Sequence, residues 1–299
     1  MATWKRSAVV GAAQPSNNPI SLLFPLGHFY SPVCDPRELR ERESELWPAS
    51  GFGDMAAIEW NTARQLDLLE TTLAPFVLEI SFHREATPDK PPRYFYDNDQ
   101  YPCLDAEVLF CLLRHLQPAH VIEVGSGFSS LITAEVNRRF RSGTMEFVCI
   151  EPYPRQFLID GVPGINNLVR QKIQQVDLSF FDRLGPNDVL FIDSSHVVKT
   201  GSDVNYLLFE VLPRLQPGVL VHIHDIFLPD EYSKRWVIDE GRNWNEQYLV
   251  RAFLQYNAAF EVVWASYYMC TRQAERTASV FTRFPTLGGG GSLWLRRRP

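Results

Sequence analysis

The chain has 299 residues, 45% of them hydrophobic and 13% aromatic, enough to bury a full core and to exclude an intrinsically disordered protein. A formal net charge of −6 excludes a chain that holds nucleic acid mainly by neutralising phosphates. The five cysteines are scattered without a CxxC pair, no apolar run reaches the roughly 18 residues of a membrane span, and the start MATWKRSAVVGAAQPSNNPI lacks a long apolar core; these features predict a cytoplasmic protein that meets neither nucleic acid nor membrane.

Along the chain, residues 1–97 bring prolines, glycines and aromatics at irregular spacing (QPSNNP, SPVCDP, WPASGFG, ATPDKPPRYF) around helices predicted over 36–46 and 55–75. This part reads as an irregular helical cap. From residue 98 the pattern is regular: a helix CLDAEVLFCLLRHL, the strand HVIEV, a helix from Ser129, the strand EFVCI, a helical turn, and the strand VLFID. A helix through VNYLLFEVLPRL and the strand GVLVHIHDI follow, then a helix from about Asn243 and two final strands, VVWASYYM and GGSLWLRR. Apolar strands alternating with helices predict an α/β fold with a parallel sheet covered on both faces. Apart from GGGG at 288–291, no low-complexity tract or repeat of fixed period is visible.

Ligands of such sheets sit beyond the carboxyl ends of the strands, so the residues there carry the functional argument. The first strand ends in IEVGSGFSS, with Glu123, Gly125, Gly127 and Ser129; the second ends at Glu151, 24 residues after Gly127. Glycines permit a tight turn and close backbone approach, and a carboxylate at Glu151 can accept bonds from both hydroxyls of a ribose, so the pair reads as a nucleoside site. The plainer alternative is a chain turn beside a solvated acid. A dinucleotide fingerprint requires a third glycine where Ser130 stands, which counts against NAD and an NAD-dependent oxidoreductase.

An acidic residue followed by G-x-G, a ribose acid closing strand two and two extra closing strands resemble the class I S-adenosylmethionine-dependent methyltransferases over about residues 98–297. The resemblance implies a Rossmann-like seven-stranded sheet with an antiparallel last strand, a methyltransferase domain over 98–299, and S-adenosylmethionine as cofactor. It further implies that Glu123 lies near the methionine end, that Gly125 and Gly127 lie against the cofactor backbone, and that Asp177 and Leu178 flank the adenine. For Asp177, capping of the following turn is the alternative.

The segments FIDSSH and HIHDIF carry a second resemblance, to metal-dependent O-methyltransferases of the catechol and macrolide-sugar (macrocin, mycinamicin) kind. It implies Asp193 and Asp225 as ligands of Mg²⁺ or another divalent ion, and His196 as a base three residues after Asp193, neutral at pH 7. Ile226 stands where the catechol type has an Asn ligand, which leaves His224 as a substitute that would favour a softer ion; substrate contact and a structural hydrogen bond are its other readings. Strand alternation puts His224 and Asp225 on opposite faces unless the strand ends at 224, and His222 reads as a core histidine. Asp193 and Asp225 alternatively bind helix N-termini or the sulfonium region.

The loop after Asp225 crosses the mouth of the site, which makes Tyr232, Trp236, Arg242, Trp244 and Glu246 candidates for substrate or lid contacts, with Asn98 and Tyr101 approaching from the cap. Lys199, Thr200 and Asp203 open a helix beside His196. The expected partner is a small-molecule acceptor bearing a hydroxyl, a sugar or secondary metabolite; self-association into a homo-oligomer stays open, as does a non-catalytic nucleoside-binding protein on the same fold.

Overall fold

The computed structural model describes residues 23–53, 55–89 and 92–299, so the start of the chain and QPSNNP lie outside the described residues. Before the sheet come short helices α1 (Pro36–Glu41), α2 (Glu43–Leu46), α3 (Thr62–Asp67) and α4 (Ala74–Val77). The helix expected over 55–75 starts only at Thr62, because Asn61 takes a left-handed φ of 53° there, and it continues through a π-helical stretch, Leu68–Leu73, into α4. The remainder alternates: α5 (Cys103–Leu116), β1 (His120–Val124), α6 (Phe128–Phe140), β2 (Glu146–Ile150), α7 (Gln156–Ile159), β3 (Asn167–Val169), β4 (Val189–Ile192), α8 (Asp203–Tyr206), β5 (Leu220–Ile223), α9 (Glu246–Leu254), β6 (Phe260–Ala265), α10 (Ser266–Arg272), α11 (Ala274–Val280), α12 (Phe284–Leu287) and β7 (Leu293–Arg297).

The seven strands form one sheet in the order β3-β2-β1-β4-β5-β7-β6, parallel throughout except for β7, which runs antiparallel to both β5 and β6. All residues of β4 and β5 are buried, as expected where both faces of a sheet are covered. The VVWASYYM strand ends at Ala265, and SYYM begins α10. Helical backbone there stacks Tyr268 on Trp60 at 4.7 Å and lets the Tyr267 hydroxyl donate to Asp230 Oδ2 at 2.9 Å.

Register decides where the site lies. Val124 is level with Ile150 on one side and Ile192 on the other, and Ile192 is level with Ile223. The ladder continues one step beyond the strands: Gly125 N donates to Ile150 O, Asp193 N to Val124 O and His224 N to Ile192 O, each at 2.9 Å. Glu151, Gly125, Asp193 and His224 therefore form a row along the carboxyl edge of the sheet.

Candidate active site

The Gly125 turn is imposed by sterics. Gly125 has φ +80°, and a Cβ there would sit 1.8 Å from the carbonyl oxygen of Asp193, so a side chain would force the ends of β1 and β4 apart. Gly127 differs: its φ of −164° is extended, and a Cβ would meet no protein atom within 4 Å, so the space before it is open. Ser129, in the first turn of α6, donates its hydroxyl to Glu123 Oε1 at 2.5 Å. Burial lifts Glu123 to about 8, against the lowering effect of the hydroxyls of Ser129 and Ser130. At the next strand end, Glu151 accepts from the backbone N–H groups of Ser126 (3.1 Å) and Tyr153 (2.8 Å), which aim its carboxylate across the turn; burial raises its pKa.

The β4 and β5 ends bring together the second group. Asp193, His196 and Asp225 each place one ligand atom within 4.8 Å of the others. His196 Nε2 lies 3.3 Å from Asp193 Oδ1 and 3.5 Å from Asp225 Oδ2; His224 Nδ1 faces the same two oxygens, at 3.4 and 3.8 Å. Behind each imidazole stands a buried acid: Glu246 Oε2 is 2.9 Å from His196 Nδ1, and Asp105 Oδ2 is 3.3 Å from His224 Nε2. Two carboxylate–histidine pairs thus flank one pair of aspartates. His196 and Asp225 both hold left-handed backbone, φ 59° and 56°, a strain of the kind that surrounding structure maintains where geometry matters.

The charge states follow from this packing. Burial would lower His196, but the hydrogen bonds with Asp193 and Glu246 outweigh it and hold the imidazole at about 10; His224 is likewise held well above the usual range, by Asp225 and Asp193 against burial. Burial would raise Asp193, but His224 and His196 keep it far down the scale, while burial raises Asp225 despite the same histidines. The carboxylates around His196 thus favour its protonated form, against the neutral imidazole expected at pH 7, and positive charge at the two aspartates would oppose that preference.

Several expected contacts have other work. His222 is the core histidine expected of it, stacked on Phe191 at 3.8 Å with Nε2 2.8 Å from Ser292 Oγ, and burial lowers it to about 3. Asp177 is exposed and caps the 3-10 turn Leu178–Arg183, Oδ1 accepting from Ser179 N at 2.8 Å, while Leu178 is half-buried. Asn98 spends both ends of its amide on its own turn, from Phe95 to Tyr101. Asp203 accepts from the backbone and hydroxyl of Ser195, holding the loop before His196. Glu246, expected as a lid or substrate contact, is instead the partner of His196. The helix that carries it starts at Glu246 and not at Asn243, because Asn245 N–H and Glu246 N–H both donate to His196 O, at 3.0 and 3.2 Å. Trp244 packs 4.3 Å from the His196 ring, and Arg242 sits over Trp236 (4.1 Å) and Trp244 (4.6 Å).

Asp105 was not among the expected site residues, since an acid in the first turn of a helix ordinarily reads as a favourable dipole partner. Its only signal is a fixed charge inside a helix that is buried from Cys103 to Leu113. Among the described residues, buried polar atoms without a protein hydrogen-bond partner include Glu123 Oε2, Ser126 Oγ, Ser194 Oγ, the Tyr101 hydroxyl and Glu246 Oε1. Such atoms are costly unless something polar completes them, so the edge fits a polar cofactor or acceptor bound there.

Residues 122–226 match the family model described as "Methyltransferase domain", a span running from β1 to just past the end of β5. The chain is 34% identical over 184 residues to an uncharacterized protein of Archaeoglobus fulgidus, covering 61% of this chain and 83% of that one. A crystal structure described as "a putative O-methyltransferase from Klebsiella pneumoniae" aligns with 80% of this chain and 98% of its own, at 13% identity and a TM-score of 0.38. No helix among the described residues is long and apolar enough to cross a membrane. The order β3-β2-β1-β4-β5-β7-β6, with only β7 reversed, thus carries over residues 122–226 a match to a methyltransferase domain that spans the strand ends of the site.

Proposed function

We propose that this methyltransferase methylates a hydroxyl of a small molecule, a sugar or secondary metabolite, with a divalent cation held by Asp193 and Asp225 and faced by His224. One observation carries the reading: two imidazole nitrogens face the same two carboxylate oxygens at 3.3–3.8 Å. These separations are long for charge-assisted hydrogen bonds, about 2.7–2.9 Å, yet two donors each about 2.1 Å from one cation lie roughly 3–3.5 Å apart. When bound, S-adenosylmethionine supplies an activated methyl group, and the cation supplies positive charge beside the acceptor oxygen.

The chain's own residues do the rest. Glu151 would take the ribose hydroxyls, Glu123 with Ser129 would sit under the methionine end, and Gly125 and Gly127 would leave room for the cofactor backbone. Asp177, while capping its own turn, and Leu178 would border the adenine. His196, fixed through Nδ1 by Glu246, would take the hydroxyl proton at Nε2, and rate would come chiefly from alignment of acceptor and donor. The described residues of the 1–97 segment would serve as a cap over the acceptor side.

A panel of alcohols, phenols and sugars, assayed for methylated product by mass spectrometry, tests the reading. Activity should vanish on chelation and return with Mg²⁺ or Mn²⁺, and His196→Ala should cut turnover roughly 10²–10⁴-fold with cofactor affinity nearly intact. Full activity after chelation together with normal turnover of His196→Ala overturns the cation and base. The site would then work by proximity alone.

A further inference from the structure

The start of α9 carries three consecutive polar residues, Asn245, Glu246 and Gln247, and the mechanism uses only the second. Glu246 and Gln247 are both 0% exposed. Glu and Gln ordinarily face water, and burying an amide costs free energy unless its ends are hydrogen-bonded. Each of the three is bonded to a different part of the site.

Asn245 serves the loop after β4: its Oδ1 accepts from Val198 N–H at 2.6 Å, and its Nδ2 donates to Val198 O at 3.3 Å. Glu246 holds the imidazole of His196 at 2.9 Å. Gln247 serves the loop after β5, which ends in Trp244 against the His196 ring. Its Oε1 accepts from Phe227 N–H at 3.1 Å, its Nε2 donates to Asp230 O at 3.4 Å, and its backbone N–H donates to the hydroxyl of buried Tyr232 at 3.1 Å. One helical turn therefore joins both loops, and Glu246 sits between the two joints.

We propose that Gln247 is a positioning residue of the methyl-transfer site, one that makes the seating of the loop after β5 and the orientation of the His196–Glu246 pair a single event. The inference rests on the reading of His196 as the base. A helical turn is stiff, so a displacement of Phe227–Tyr232 is carried through Gln247 to the neighbouring Glu246 and from its carboxylate to the imidazole. Methyl transfer depends on alignment, and a misplacement of about 1 Å can cost about 10²-fold in rate.

Gln247→Met keeps the volume and removes both side-chain bonds. Amide exchange of the purified full chain, followed by mass spectrometry, needs no acceptor: it should quicken roughly tenfold in 227–232 and also in 194–198, on the far side of the turn. Quickening confined to 227–232 overturns the inference. Kinetics use the best acceptor from the panel of alcohols, phenols and sugars. Gln247→Met should lower kcat about 10- to 100-fold with S-adenosylmethionine affinity within about twofold, and Gln247→Glu, which keeps the acceptor for Phe227 N–H, should fall between variant and wild type. In a Glu246→Gln background the same substitution should change kcat less than about threefold, because its effect passes through Glu246. An equal loss in both backgrounds is the mark of a merely structural residue and overturns the inference alone. Unchanged turnover in Glu246→Gln itself overturns the base reading and the inference together. Should Gln247→Met fail to fold, Tyr232→Phe, which removes the acceptor of the Gln247 N–H, takes its place in both measurements.

Discussion

Glu123 lies 1% exposed beneath the Gly125 turn, where burial lifts it to about 8 from an ordinary 4.5. The folded chain then holds a proton there that the unfolded chain has lost, so this residue's contribution to stability falls as pH rises from about 4.5 to about 8. Calorimetric melting of the cofactor-free protein across that window should show the decline, and Glu123→Gln should flatten it. A variant with the wild-type slope would assign the decline elsewhere. Glu151 makes a different prediction, because its carboxylate is aimed by two backbone N–H groups and would bond both ribose hydroxyls. At roughly 1.5–3 kcal/mol for each charged hydrogen bond, Glu151→Ala should weaken S-adenosylmethionine at least about tenfold by titration calorimetry. An unchanged affinity in a folded variant removes the ribose assignment.

The element that sets the site is the turn between β1 and α6, and Gly125→Ala tests it. The left-handed φ costs an L-residue about 1–2 kcal/mol, and overlap with the Asp193 carbonyl adds to this, so stability should drop by at least about 2 kcal/mol and cofactor binding should be lost with it. Thermal unfolding and calorimetry read the two effects; retention of both would mean that the β1–β4 contact relaxes freely. The same elements show what the sequence could convey. Strand ends were legible because an apolar run that stops at an acid or glycine marks itself locally, as in HVIEVG, EFVCIE and VLFID. The tail of VVWASYYM was not, since its aromatics suit strand and helix alike and the contacts of Tyr267 and Tyr268 with Asp230 and Trp60 decide between them. Nor was the pairing of His196 with Glu246, 50 residues away. Asp105 was hidden for a similar reason: only the folded chain brings it to His224.

For the whole molecule, the segment after Asp225 is clasped by the part of the chain that precedes the sheet. Trp47 Nε1 donates to Tyr232 O at 2.8 Å, Phe52 N–H donates to Asp230 Oδ1 at 2.9 Å, and α1 packs against the π-helical turn Arg235–Asp239. Trp47→Phe removes one of these bonds, worth about 0.5–1.5 kcal/mol, and should speed amide exchange across 230–243 while β1 to β5 stay protected. Unchanged exchange in that segment would show that the clasp does not hold it. The pinning of Asp105 reaches further still, across 186 residues to Gly291. Proteins are synthesised from the N-terminus, so this acid leaves the ribosome long before the two backbone donors that satisfy it exist. Until the glycine run and β7 have been translated, His224 lacks its fixed partner and the carboxylate has no reason to enter the core. A nascent chain stopped short of residue 291 could pair β1, β2 and β4 and still lack the donors that hold Asp105 against His224, so this pair is completed only after the glycine run has been made.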